Sequence, residues 1–263
     1  MNIGFVGVGT IATCMLEGFQ KAGNSHEFFL SPRNTKKSSV LAKKYSNCHA
    51  CDSNQEVVDK SDVVILSLLA DNCIEVLEGL NFRFNQKIVN VVATIPPEDI
   101  LGAVGKNVGF SHVIPLPSCK NNSGPIAAFP KSEFLLELFS PIGKVVFASS
   151  MNDIRTMQSI TALIAPFYSL MSGLADFAEG EGLERYEAKS FITTFFASLC
   201  QNLEGADFKE LAAEMTPGGL NELANNILAE KGAITAWADV MKPVMQRINR
   251  AEKGSAGSLP PSV

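Results

Sequence analysis

The stretch "NIGFVGVGTIA", Asn2 to Ala12, constrains this chain more than any other. An apolar run of strand character passes into Gly7-Val8-Gly9-Thr10-Ile11-Ala12, a G-x-G-x-x-A spacing that opens an amphipathic helix over 11–23. In that context Gly7 permits a tight turn, Gly9 lets a pyrophosphate approach the backbone, and Ala12 allows the helix to lie close on its strand. The N-terminus of the helix, at Thr10 and Ile11, offers N–H donors and a favourable dipole to phosphate. The pattern predicts a dinucleotide-binding turn.

Apolar runs and helical periods alternate behind it. Strands are predicted at 26–31, 48–51, 62–69, 87–93, 108–116, 125–130 and 144–149, with helices at 35–45, 54–61, 71–80, 96–105 and 132–143 between most of them. Such alternation implies an α/β fold with a mainly parallel sheet. After residue 150 the strand character ends, and helices are expected at 152–179, 184–203, 206–213, 220–230 and 233–250. The reading is a Rossmann nucleotide-binding domain over 1–150, an all-helical domain over 151–250, and a Gly/Ser/Pro-rich, disordered tail over 251–263.

The end of the second strand selects the cofactor. A site for NAD places an acid there to hold the ribose 2′-hydroxyl. This strand runs into "SPRNTKK" with no acid. Arg33 is suited to a 2′-phosphate, with Ser31 and Asn34 as hydrogen-bonding neighbours, so NADPH is the expected cofactor. Ser67, Leu68 and Leu69, at the end of the fourth strand, complete the expected cofactor contacts.

A net charge of −5 argues against a nucleic-acid partner. Six scattered cysteines suit a reducing cytoplasm, and no leader sequence is read at the N-terminus. Cys48-His49-Ala50-Cys51 has a metal-like spacing but no second pair, and it reads as a short strand; no metal site is expected. His26, His49 and His112 read as structural. The charge-free stretch 156–175 is long enough for a bilayer, yet it carries Gln158, Ser159, Thr161, Ser169, Ser172 and Pro166. It reads as a helix buried on nearly all sides, and hence as a subunit interface.

One later stretch stands out: "MTPGGLNELANNILAEKG", where Pro217-Gly218-Gly219 precedes a helix with no side chain over its first N–H groups. With "SDVVILSLLADNCIEVLEGL" and "SGLADFAEGEGLERYEA", it makes residues 1 to 250 resemble the pyrroline-5-carboxylate reductases. That resemblance implies hydride transfer from NADPH to the C=N carbon of a carboxylated cyclic imine, within proline synthesis. It implies that the N–H groups around Gly218, Gly219 and Leu220 bind the substrate carboxylate, and that Asn221 stands where the family has a catalytic threonine. An interlocked homodimer or higher homo-oligomer would share each site.

The chain departs from the family around the substrate. Ala162 to Tyr168 replaces a run of small and hydroxyl residues, Ile114 to Ser118 loses an asparagine, and Leu68-Leu69-Ala70 loses a lysine. Two other readings follow: a catalytically silent NADPH-binding protein, or a 3-hydroxyacid-type dehydrogenase. Against the second, Lys189 lacks the asparagine pair that such an enzyme needs.

Overall fold

The structure is a computed structural model describing residues 1–93, 95–201, 203 and 205–251, with only the backbone of Asn34, Thr35, Arg250 and Ala251. The tail expected over 251–263 thus lies, beyond its first residue, outside the described residues. The chain divides into two compact units. One holds Met1–Gln158 together with the described chain from Gln246, and the other holds Ser159–Met245. The first therefore extends past the composition change at residue 150, and its last helix returns to it from the far end of the sequence.

In the first unit, β1 (Asn2–Val6), α1 (Thr10–Lys21), β2 (Glu27–Leu30), α2 (Thr35–Lys44), β3 (Cys48–Ala50), α3 (Asn54–Lys60) and β4 (Val63–Leu66) form the first half. Then follow α4 (Cys73–Glu78), β5 (Lys87–Asn90), α5 (Pro97–Val104), β6 (Gly109–Ile114), β7 (Pro125–Phe129), α6 (Glu133–Phe139) and β8 (Lys144–Phe147). The sheet order is β3-β2-β1-β4-β5-β6-β7-β8. Every neighbouring pair is parallel except β6–β7. This is the Rossmann-type doubly wound sheet anticipated from the alternation, continued by two strands.

Burial on both faces explains the unbroken apolar strands. Ile3, Phe5, Val63 and Ile65 pack with Met15, Leu16 and Phe19 of α1 and with Leu135, Leu138 and Phe139 of α6. On the opposite face Val6, Val64, Leu66 and Ile88 meet Val57 and Val58 of α3, Leu77 of α4 and Ile100 and Val104 of α5. Burial of the largest of these side chains contributes roughly 1.5–3 kcal/mol each.

The helical part runs α7 (Met151–Thr161), α8 (Ile164–Gly180), α9 (Arg185–Leu199), α10 (Phe208–Ala213), α11 (Leu220–Glu230), α12 (Ala233–Asp239) and α13 (Met241–Ala251). Two helices expected to be continuous are each split, and the cause is the same. Pro166 and Pro243 lack an N–H and clash with the carbonyl four residues earlier, at Ala162 and Asp239. The helix breaks at those carbonyls, and each proline sits in the first turn of the next helix, where it is tolerated. Ile154 of α7 packs with Ile114, Ala127 and Ala148, which fixes the start of that helix to the sheet unit.

The expected burial of 156–175 does not hold within one chain. Only Ser159 and Ala175 of that stretch are buried. Tyr168 is 64% exposed, and Phe177 and Phe191 of the same unit are 67% and 69% exposed. Within one copy Ile164, Leu170 and Leu174 of α8 are exposed as well. The apolar run Met151–Gly180 is also long enough to cross a membrane by length and composition.

Candidate functional site

The carboxyl ends of β1, β2 and β4 meet at the glycine turn. Gly7 has φ +97°, a left-handed conformation that side chains disfavour. A Cβ there would lie 2.2 Å from the Ser67 carbonyl oxygen. Ser67 in turn donates its N–H to Val6 O at 2.9 Å, so the β4 loop closes directly on the turn. At Gly9, the N-cap of α1, a Cβ would meet nothing within 4 Å. Among the described residues no side chain caps this helix, its first turn carries no acid, and Ala12 is buried against the core. The open space beside bare N–H groups fits a phosphate approaching from outside the chain.

The residues expected to contact the cofactor are brought together here but take different tasks. Ser31 is fully buried, and its Oγ accepts the Gly7 N–H at 2.9 Å while its carbonyl accepts the Ser38 hydroxyl at 2.7 Å. It was expected to reach a 2′-phosphate; instead it locks the glycine turn from beneath, because the strand end points its side chain inward. Arg33, on a 3-10 turn over Pro32–Asn34, is exposed and donates from Nη1 to Asn72 Oδ1 at 2.7 Å. Asn34 lies beside it, with its side chain outside the described residues. Leu68 is buried in the core below α4, while Leu69 is 70% exposed at the rim. Thr10 is exposed and Ile11 half-buried on the first turn of α1.

In the helical unit, Gly218 has φ +73° and Gly219 is the N-cap of α11. The N–H groups expected to be bare are partly taken. Gly218 donates to Glu222 Oε2 at 2.7 Å, and Gly219 donates to Thr216 O at 2.9 Å. Glu222, at the third position of the helix, reaches back over the turn as capping glutamates do. That corrects the expectation of an unfilled anion cradle: the chain lays a carboxylate of its own there. Leu220 is 85% exposed and Asn221 is exposed beside it. Glu222 was legible in the sequence, three residues after a glycine N-cap. Asn72 was not, because its partner lies far away along the chain.

The remaining candidates are structural in their surroundings. His26 packs edge-on to Phe19 and Phe28, His49 pairs with Glu27 at 2.6 Å, and His112 is buried against Asn90 at 2.9 Å. All six cysteines are free thiols, and burial pushes those of Cys48 and Cys73 up to about 11 and that of Cys119 up to about 12. Such thiols stay protonated and are poor nucleophiles and metal ligands at neutral pH. Lys189 lies exposed on α9, in a groove with Tyr168, Ser172 and Thr193.

Residues 2–95 match a family model described as NADP oxidoreductase, coenzyme F420-dependent. Along nearly its full length the chain is similar to pyrroline-5-carboxylate reductase 2 of Bacillus subtilis, 22% identical, with 98% of this chain and 97% of that protein covered. The chain is similar, at low identity, to the pyrroline-5-carboxylate reductases. Its fold agrees. A Plasmodium falciparum pyrroline carboxylate reductase with NADP bound superimposes with a TM-score of 0.82 at 16% identity, covering 95% of this chain and 98% of that one. The 1-pyrroline-5-carboxylate reductase of Streptococcus pyogenes gives 0.79 at 20% identity, covering 96% and 98%.

Proposed function

We propose that the protein is an NADPH-dependent reductase of the C=N bond in a small cyclic imine. The observation that carries this reading is the bare glycine turn at Gly7 and Gly9, with Arg33 and no acid at the end of β2. The chain's similarity to reductases of this class over nearly its whole length supports it. The bound cofactor would supply a hydride to the imine carbon. The N–H groups at the start of α1 would hold the pyrophosphate, Arg33 the 2′-phosphate, and the exposed rim at Leu69 would border the nucleotide. In the helical unit, Asn221 and the N–H groups of Leu220 and Asn221 would orient the imine, with Asn221 donating a hydrogen bond near its nitrogen. Such chemistry asks the protein chiefly for placement.

Following the relatives, the first substrate to assay is pyrroline-5-carboxylate, whose reduction would place the enzyme in proline synthesis. Glu222 favours a second reading, in which the imine lacks the carboxylate. A carboxylate already at the Gly218 N–H repels another brought beside it. NADPH oxidation with pyrroline-5-carboxylate and with 1-pyrroline, for the parent and for Glu222→Gln, separates the two. The second reading predicts faster turnover of 1-pyrroline, and a gain on the carboxylated imine in Glu222→Gln. Binding of NADPH without turnover of any imine would leave the silent protein as the better account. Turnover of hydroxy acids alone would leave the dehydrogenase.

The exposed apolar side chains Phe177, Phe191 and Leu220 are suited to a second copy of the chain rather than to lipid, since polar residues are spread through 156–175. A homodimer, or a larger homo-oligomer, in the cytoplasm is therefore part of the proposal. Light scattering on the purified protein at micromolar concentration checks it: a monomer mass would refute it.

A further inference from the structure

We infer that Asn72 determines the cofactor preference, by holding Arg33 in place with a neutral partner. The inference rests on the proposed reading of Arg33 as the 2′-phosphate contact. Arg33 lies just after β2 and Asn72 just after β4. Those strands flank β1 on its two sides, so the 2.7 Å hydrogen bond between Arg33 Nη1 and Asn72 Oδ1 passes over the carboxyl end of β1, beside the glycine turn.

Two features indicate that Asn72 is committed to this task. It is the N-cap residue of α4, where an asparagine oxygen ordinarily accepts a helix N–H, yet its side chain makes no capping bond. The oxygen is turned to the guanidinium instead. Second, the partner is an amide although an acid, Asp71, stands next in sequence. A carboxylate in the place of Asn72 would neutralise the guanidinium and compete with a phosphate for it. An amide fixes the long side chain while leaving its full charge and its other N–H donors for an anion. Restricting a rotamer-rich arginine before the ligand arrives lowers the entropic cost of binding. Asn72 is thus a positioning residue for the 2′-phosphate contact.

The test is direct binding of NADPH and of NADH, by titration calorimetry, to the full chain carrying Asn72→Asp, Asn72→Ala or Asn72→Ser. Asp is isosteric and an equally good helix cap, so the fold is expected to survive that change. We expect Asn72→Asp to weaken NADPH at least tenfold and to leave NADH within about twofold. Asn72→Ala should weaken NADPH alone by a few-fold, and Asn72→Ser should recover part of that loss. A parent that prefers NADPH, with variants that keep the same preference, would overturn the inference while sparing the cofactor reading, as would equal losses for both nucleotides. A parent that binds neither nucleotide, or both alike, would overturn the cofactor reading and this inference with it.

Discussion

Acidification should unfold this protein partly through one buried imidazole. Asn90 and His112 face each other across β5 and β6, with Asn90 fully buried and His112 3% exposed. Asn90 Oδ1 accepts the Val92 N–H at 2.9 Å, which fixes the amide so that its NH2 group faces His112 Nδ1, also at 2.9 Å. Nδ1 must therefore be an acceptor, and the ring is neutral with its proton on Nε2. Burial, with the charge of Arg155 as a lesser contribution in the same direction, pushes His112 down from 6.5 to about 4. In the unfolded chain the group titrates at its ordinary value. Between these two values the unfolded state takes a proton that the folded state refuses, so stability is lost as pH falls from about 6.5 to about 4, and no further below that. The shift corresponds to about 3 kcal/mol, a large share of the 5–15 kcal/mol typical of a protein. His26, also lowered by burial, acts in the same direction, so the contribution of His112 must be isolated by substitution. His112→Gln retains an acceptor for Asn90 and cannot titrate. Urea unfolding followed by circular dichroism, at steps from pH 7.5 to pH 4, should show the parent losing about 3 kcal/mol more than His112→Gln. Parallel losses in the two proteins would refute the assignment of a neutral, buried His112.

The nucleotide turn allows three further tests. Ser31→Ala leaves the buried Gly7 N–H without a partner and should cost about 1–3 kcal/mol in urea unfolding; an unchanged midpoint would show that the turn holds itself. Gly7→Ala forces a methyl against Ser67 O in a left-handed backbone and should lower stability by more than about 1 kcal/mol, whereas Gly9→Ala, with open space around it, should leave unfolding unchanged and weaken NADPH. Stability losses of equal size at the two glycines would contradict the geometry. Arg33→Ala should weaken NADPH by about 1–3 kcal/mol and leave NADH nearly unaffected in titration calorimetry; equal losses would remove Arg33 from the 2′-phosphate.

How much could be read beforehand depended on the range of the interaction. The alternation of strands and helices follows from local periodicity, and the glycine turn from the spacing of three residues, so the sheet and the nucleotide edge were legible from residues near in sequence. The breaks before Pro166 and Pro243 were legible too, because proline acts on a carbonyl only four residues back, but the apolar periodicity outweighed them. The inward turn of Ser31, the Asn90–His112 pair and the Arg33–Asn72 bond are contacts between separate strands or the loops that follow them. They depend on register and strand order, which no local pattern encodes. The cover of α8 was not legible for a related reason: apolar composition marks a surface suited to burial, but not the chain that would bury it.

The central claim is that this chain uses NADPH to reduce a C=N bond. The most direct measurement is the fall in absorbance at 340 nm when NADPH is mixed with the full-length protein and 1-pyrroline or pyrroline-5-carboxylate, with product identified by mass. The account predicts imine-dependent oxidation of NADPH with one pyrrolidine or proline formed per NADPH consumed. Tight binding of NADPH with no oxidation on either imine would contradict it.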